Sequence, residues 1–584
     1  MSKEEGKSLR YSIFYSIISI VVIAITLQII RIQLLEGKRF TEKANENSIK
    51  EIPVIAPRGV LFDRNFNLLV SNKPSYNLEI IPAYFDISNF KFLQSLSNLS
   101  NDTYSEIVKL KRSYSRFKPV IVKKDLSFKT VSAISEFSEK LSGVRINFVP
   151  KRDYSFGVNG AHIFGYLQEI TASELRKTRV NYSGGDLVGA SGIEKYDEKY
   201  LRGIKGKKLI VVDAKQRYVR DFKNGKFDVP PEKGNDLLLT IDKKTQEVAE
   251  YEMLGKKGAV VALNPKTGEI IAMVSAPTFN LDELSVASPK EWRRIVLNKS
   301  KPLFNRATMS AYPPGSTIKP LEALAGLESG NITPSTTIIC KGGLQYGDRF
   351  FGCDHVHGKV NLVKSIEESC NTYYYLLFLK MGFSPWLHYT RLFGFGRETH
   401  IDIWEEKSGL LPDSIYYNKR YGKHHWNTGI LLSLSIGQGE VSVTPLQLAK
   451  YTALIANNGR TFVPHLVKGY LDSKTNSFHP FNFDAIKISV NQKKMEIVKK
   501  GMFEVVNGEG TAVNIKDSQI PIAGKTGTAQ NPHGDNHAIF IAYAPADNPE
   551  IAVAVVVENA GYGSTHAAPI AHKVIRTFLR NKLK

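Results

Sequence analysis

The chain has 584 residues, 42% of them hydrophobic, with 44 glycines and 78 Lys+Arg against 56 Asp+Glu for a formal net charge of +22. At about one domain per 150 residues, that length calls for several structural units rather than one core, and the composition excludes a disordered or collagen-like chain. The positive excess suits an anionic membrane surface, an anionic substrate or a lysine-rich exterior; without a basic recognition helix or a basic sheet carrying aromatics, no nucleic-acid partner is expected.

Residues 11 to 30, YSIFYSIISIVVIAITLQII, hold no charge between Arg10 and Arg31. As a helix they match a hydrocarbon core of about 30 Å, so 11–31 reads as a transmembrane anchor. Lys3, Lys7 and Arg10 precede it and Arg31, Lys38, Arg39 and Lys43 follow it, so flanking charge leaves the orientation open. No small-x-small cleavage pattern follows, which predicts an uncleaved anchor with residues 1–10 cytoplasmic and the rest exported.

Between 40 and 235, short alternating runs such as YNLEIIP (76 to 82) and KPVIVKK (118 to 124) are broken by turn residues and predict a β-rich pedestal. A more helical lobe is read as inserted at 83–150. At NDLLLTIDKKTQEVAEYEML (235 to 254) the pattern changes to a strand then a helix, and GAVVALNPKTGEIIAMVSA (258 to 276) reads as two strands around a turn. HAIFIAYAP (537 to 545) and EIAVAVVVENA (550 to 560) supply two more strands, and PIAHKVIRTFLRNKLK (569 to 584) an amphipathic helix. Strands at both ends of 245–584 with helices between them predict an α+β domain.

A serine becomes a nucleophile when a base lies within hydrogen-bond reach, and a lysine three positions on along a helix shares its face. Ser-x-x-Lys occurs at Ser88 and Lys91, Ser115 and Lys118, and Ser316 and Lys319. Only the third has a fitting context. In AYPPGSTIKPLEALAGL, Pro313, Pro314 and Gly315 make a turn and an apolar helix is expected to start at the serine, placing its hydroxyl at the positive end of the helix dipole. The plain alternative is an ordinary serine N-cap. Downstream come Ser369-Cys370-Asn371 and then Lys525-Thr526-Gly527 followed by Thr528. An earlier Lys266-Thr267-Gly268 lies in the predicted turn NPKTGEI, ahead of the serine, and reads as turn chemistry. In PIAGKTGTAQ, Gly527 is expected to let a substrate backbone approach the strand closely.

The three cysteines, Cys340, Cys353 and Cys370, share one short window with His355 and His357. Cys340, Cys353, His357 and Cys370 would make the donor set of a tetrahedral structural zinc site with a Cys-x3-His pair at its centre. A disulfide between two of the three, or three unrelated buried thiols, are the alternatives.

The ordered Ser-x-x-Lys, Ser-x-Asn and Lys-Thr-Gly set resembles the serine penicillin-recognising acyltransferases. RGVLFDRN (58 to 65), DLVGASGIEKYDEKYLRG (186 to 203), AYPPGSTIKP (311 to 320), SCNTYYY (369 to 375), SIGQGEVSVTPLQLA (435 to 449) and KTGTAQ (525 to 530) look like the class B penicillin-binding proteins, in that order. The double proline and the SCNTYYY run look more like the cell-elongation member of the class than its division counterpart.

The resemblance implies a transpeptidase domain of mixed helices around an antiparallel sheet, a dimerisation-type pedestal, and cross-linking of peptidoglycan stem peptides through a serine that β-lactams acylate. It also admits a D,D-carboxypeptidase side activity. In that reading Ser316 attacks the penultimate D-alanine carbonyl and Lys319 takes the proton. Ser369 and Lys525 relay a proton to the leaving amine, Asn371 binds a substrate amide, and Thr526 and Thr528 hold the carboxylate beside Gly527. The backbone N–H groups of Ser316 and Thr528 form the oxyanion hole. The resemblance further implies no organic cofactor, an inner-membrane location with the catalytic domain in the periplasm, and a RodA-type glycan polymerase and other elongation-complex proteins as partners. Some relatives hold zinc beside the active site through the middle residue of Ser-x-Asn, here Cys370. A β-lactamase-like hydrolase would need a water-activating base and no pedestal. A β-lactam sensor would need a cytoplasmic output domain, and a bifunctional enzyme an EDxxF-type glycosyltransferase motif.

Overall fold

The computed structural model describes residues 3–36, 48–113, 116–178, 180, 182–212, 218–286, 289–423 and 425–582. Ser115 and the flanking Lys38, Arg39 and Lys43 lie outside the described residues. Helix α1 (Lys3–Ile30) contains the apolar stretch and runs into a single π turn, Arg31–Leu35. Its window Tyr11–Gln33 has a mean hydropathy of 2.5 and is long and apolar enough to cross a membrane.

The chain forms two compact units. The first comprises Met1–Pro57, Tyr76–Val149 and Ile204–Glu232. In it, strand Ile49–Val54 pairs antiparallel with Gly206–Val212. A separate core of Leu78, Ile80, Phe85, Phe90, Leu93, Leu99 and Ile107 forms around helices Phe90–Ser97 and Asn101–Lys111.

The second unit comprises Arg58–Ser75, Pro150–Gly203 and Lys233–Lys584. Its sheet is built from the two ends of the last segment. Strands β1 (Gly258–Leu263) and β2 (Ile270–Ala276) form the expected hairpin, and β3 (Ala523–Ala529), β4 (His537–Ala544) and β5 (Ile551–Val557) complete an antiparallel sheet in the order β2-β1-β5-β4-β3. Every residue of β1 and β5 is buried, which is why these strands read as unbroken apolar runs instead of alternating ones. The Lys266-Thr267-Gly268 triplet is a turn: Lys266 N–H donates to Asn264 Oδ1 at 2.9 Å, and Gly268 takes a φ of 75°.

Helix α2 (Lys243–Glu252) starts on Asp242, which accepts from Thr245 N–H. Helices α3 (Lys319–Glu328), α4 (Asn371–Met381), α5 (Pro445–Ala456) and α6 (Gln492–Asn507) fill the space between the sheet-forming ends, and α7 (Ala568–Lys582) packs beside α2. Helix α5 is buried at all 12 positions; its start is fixed by a Thr444/Gln447 capping box with Pro445 in the first turn.

The RGVLFDRN and GIEKYDEKYLRG stretches meet in one buried ion network. Glu194 takes Arg58 Nη2 at 2.6 Å and Arg152 Nε at 2.6 Å, and Arg58 also reaches Glu198 Oε2 at 2.7 Å. Burial would raise the Glu194 carboxyl; Arg152 and Arg58 bring it below its ordinary value. Glu194→Ala leaves two buried guanidinium groups without that carboxylate, and is expected to cost about 3–5 kcal/mol. The denaturant midpoint reads this; a loss below about 1 kcal/mol, the worth of an exposed pair, would show that the network is dispensable.

Candidate active site

Gly315–Ile318 is a 3-10 turn, and α3 begins only at Lys319. The helix expected to start at the serine therefore starts three residues later. The cause is the preceding Pro-Gly: Thr317 N–H and Oγ1 both turn back to Pro314 O, at 3.4 and 2.7 Å, and Gly315 takes a φ of 55°. Gly315 N–H donates to Gly437 O at 2.9 Å, and a Cβ on Gly315 would fall 2.8 Å from Thr528 O. Only glycine permits that approach of the turn to β3. Ser316 is half-buried, and among the described residues its hydroxyl has no hydrogen-bond partner.

Lys319 is completely buried. Its Nζ donates to Ser369 O at 2.6 Å, Ser369 Oγ at 3.2 Å and Asn371 Oδ1 at 2.5 Å. Three acceptors on one amine is the arrangement of an ammonium, while burial pushes its pKa down to about 8. Lys525 Nζ, also fully buried, donates to Ser369 Oγ at 2.9 Å and Thr526 O at 3.1 Å. Burial and then the nearby Lys319 hold Lys525 well below the ordinary lysine range. Ser369 Oγ thus lies between two amines whose burial opposes simultaneous charging. Ser369 sits at a φ of 59°, its N–H on Ile366 O, at the entry to α4. A non-glycine residue in that region carries strain of order 1–3 kcal/mol.

All five residues expected to be catalytic are close to one another or to the same turn, and Thr526, Gly527 and Thr528 lie on β3 beside it. Gly527 has a requirement that the sequence did not announce. The space its Cβ would take is filled from within, by Thr317 Cγ2 at 2.7 Å and Pro314 O at 3.1 Å, so glycine is required here by the nucleophile turn itself. Of the other Ser-x-x-Lys pairs, Ser88 lies in the 3-10 turn Ile87–Asn89 of the first unit, which contains neither of the later motifs.

Three further residues belong to the site. Gln438 Nε2 donates to Thr528 O at 3.0 Å. Thr511 Oγ1 lies 2.6 Å from Thr526 Oγ1. Glu322, one turn beyond Lys319, is completely buried, with neither carboxylate oxygen hydrogen-bonded among the described residues; burial pushes its carboxyl well above the ordinary range. Glu322 was legible as a lone acid in an apolar helix, and Gln438 lies inside a quoted motif. Nothing local marks Thr511.

The cysteines and His357 converge. Cys340 Sγ and Cys353 Sγ each lie 3.5 Å from His357 Nδ1, Cys353 Sγ lies 4.0 Å from Cys370 Sγ, and all four donors are within 4.8 Å of one another. Tetrahedral zinc with bonds of about 2.3 Å to sulfur and about 2.0 Å to nitrogen sets S···S at about 3.8 Å and S···N at about 3.5 Å. The donor set fits that geometry, and a disulfide would need sulfurs at about 2.0 Å. Asn371 N–H donates to Cys353 Sγ at 3.1 Å, and Cys370 is the N-cap of α4, so the cluster is tied to the Ser-x-Asn segment on both sides.

A family model described as penicillin binding protein transpeptidase domain matches residues 258–576, and one described as penicillin-binding protein dimerisation domain matches 53–239. The peptidoglycan D,D-transpeptidase MrdA of Acinetobacter baumannii is 34% identical over 617 residues, covering 100% of this chain and 89% of that protein. The complex between penicillin-binding protein PBP2 and MreC from Helicobacter pylori aligns with a TM-score of 0.79 at 27% identity, covering 92% of this chain and 100% of that one. A structure of a peptidoglycan synthase complex, described as coordinating polymerisation and cross-linking, aligns with a TM-score of 0.73 at 27% identity over 97% of this chain and 98% of that one.

Proposed function

The chain belongs to the class B penicillin-binding proteins, and from that premise we propose that it is a peptidoglycan D,D-transpeptidase of the penicillin-binding protein 2 type, acting through an acyl-enzyme on Ser316. The observation that carries the assignment of roles is the convergence of Lys319 Nζ and Lys525 Nζ on Ser369 Oγ, at 3.2 and 2.9 Å, behind the nucleophile turn.

Ser316 Oγ attacks the penultimate D-alanine carbonyl of a stem peptide. A C–O bond forms and the hydroxyl proton passes to Lys319 once that amine is neutral, on the face one helical turn away. The oxyanion is met by the backbone N–H groups of Ser316 and Thr528, donors of a kind worth about 3 kcal/mol each. The C–N bond then breaks, the proton moves through Ser369 and Lys525 to the leaving amine, and terminal D-alanine departs. Asn371 holds the substrate amide, and Thr526 and Thr528 its carboxylate. A second stem peptide's amine resolves the ester; water in its place would give carboxypeptidase activity.

Cys340, Cys353, His357 and Cys370 would hold zinc, which as a d10 ion supplies structural constraint without redox chemistry. The chain's own contribution is to seat Ser369 and Asn371 on either side of Cys370. The α1 helix would anchor the enzyme in the inner membrane with the catalytic unit in the periplasm, since the substrate lies outside the cytoplasm. Protease added to intact spheroplasts is then expected to digest the catalytic unit, and protection would contradict this orientation. Glycan strands would come from a separate RodA-type polymerase working with elongation-complex proteins.

The function is tested by acylating the full-length protein with a fluorescent penicillin and mapping the adduct. The label is expected on Ser316 and to persist. Because the folded-state pKa of Lys319 is lowered to about 8, the neutral base accumulates above that value, so the acylation rate should rise with pH through about 8 and then level off. An adduct elsewhere, or a rate that falls across that range, would contradict the mechanism. Rapid release of the acyl group would favour a hydrolase.

A further inference from the structure

The Thr526 hydroxyl has one hydrogen and two competing uses for it. One is a bond to Thr511 Oγ1, 2.6 Å away, and the other a bond into the site; Lys525 Nζ takes neither, since it donates to the same oxygen at 3.5 Å and to Thr526 O at 3.1 Å. If Thr526 donates to Thr511, only its lone pairs face the site, and they repel a carboxylate. If Thr511 donates to Thr526, the Thr526 hydrogen is released toward the site while its oxygen accepts, an order in which each hydroxyl polarises the next.

Thr511 is well placed to hold the second arrangement. It follows α6 in the loop NGEGTAVN, and that loop is fastened to the helix Leu362–Glu367: Thr511 N–H donates to Glu367 O at 3.4 Å and Glu509 N–H to Glu367 Oε1 at 2.9 Å. Two residues after Glu367 comes Ser369. Ala512 N–H returns to Val505 O at 2.9 Å, closing the loop onto the end of α6. The loop therefore ties the Ser-x-Asn segment to β3 through the Thr511–Thr526 hydroxyl pair. Thr526 itself is only 8% exposed, so its rotor is set by these neighbours instead of by bulk water.

We propose that Thr511 is a positioning residue for carboxylate recognition: its hydroxyl donates to Thr526 Oγ1 and so commits the one hydroxyl hydrogen of Thr526 to the carboxylate of the stem peptide or β-lactam. The inference rests on the acyl-transfer reading of the site. It assigns to Thr511 no contact with the ligand.

The test compares a carboxylate-bearing penicillin with its methyl ester on the full chain. Thr511→Val keeps the branched shape and removes the donor. It is expected to slow acylation by the acid about tenfold to a hundredfold, as for a lost hydrogen bond to a charged group, through weaker binding and with little change in the limiting rate. Acylation by the ester should fall far less, because the charge that the Thr526 hydrogen serves is gone. Thr511→Ser should restore the acid reaction. Equal losses for acid and ester would show that Thr511 merely supports the loop and overturn the inference, as would an unchanged rate with both. Since wild-type labelling at Ser316 is the reference for each ratio, either result would leave the acyl-transfer reading standing. Failure of the wild type to label at Ser316 would refute that reading, and the inference with it.

Discussion

Ser316→Ala is expected to abolish covalent penicillin labelling while leaving the melting temperature where it is. Both halves follow from the structure. The serine hydroxyl has no hydrogen-bond partner among the described residues, so removing it orphans nothing, and alanine suits the 3-10 turn, whose one strained position is the glycine before it. The chemistry, by contrast, loses its nucleophile: Ser369 Oγ, the neighbouring serine hydroxyl, accepts from both Lys319 and Lys525 and has the proton-relay role. Lys319→Ala should retain the nucleophile and lose the base, slowing acylation by about 100-fold to 10,000-fold. That variant also strips Ser369 and Asn371 of a shared donor, so its folding should be checked alongside. Stoichiometric, persistent labelling of a folded Ser316→Ala protein would refute the assignment of the nucleophile.

Removing zinc from the proposed Cys340, Cys353, His357 and Cys370 site should cost both stability and acylation. Cys340 and Cys370 are completely buried, and the donor spacing suits tetrahedral zinc, so the purified chain is expected to carry about one zinc. Structural zinc contributes to folding because its site forms only with the fold. Cys370→Ser should therefore lower the melting temperature and slow penicillin labelling, although the nucleophile is untouched, because Cys370 is flanked by Ser369 and Asn371 and caps α4. In the wild type a strong chelator should reproduce the thermal shift and expose thiols to alkylation. A metal-free protein with a Cys340 to Cys353 disulfide, seen by mass spectrometry, would refute the zinc reading.

The sequence by itself determined the elements and chemistry whose signals are local. An uncharged run long enough for a bilayer predicted α1, and a turn signal between apolar runs predicted the β1–β2 hairpin. The order of Ser316-Lys319, Ser369-Asn371 and Lys525-Gly527, with Cys340, Cys353, His357 and Cys370 in one window, named residues that the fold brings near one another. Even the false Lys266-Thr267-Gly268 was separable, because turn chemistry is written in neighbouring residues.

Tertiary structure alone decided what depends on contacts between distant segments. The sheet order β2-β1-β5-β4-β3 joins residues 295 positions apart, Val260 opposite Val555, and no periodicity announces which apolar run pairs with which. The grouping of Arg58–Ser75 and Pro150–Gly203 with the catalytic segment is likewise a matter of contacts: the arginines around Glu194 join the first two to each other, and Arg64 Nη2 on Glu269 Oε2 at 2.7 Å and Val60 N–H on Asp236 Oδ1 at 2.6 Å join them to the third. Packing gives Gly527 a reason of its own to be glycine, since Thr317 and Pro314 occupy the space a Cβ would take. Thr511 could not have been found from its own surroundings, since its importance lies in one hydroxyl 2.6 Å away on a strand reached only after the chain has turned back. Side-chain type and spacing record what a residue can do, whereas the identity of its partner is a property of the closed fold.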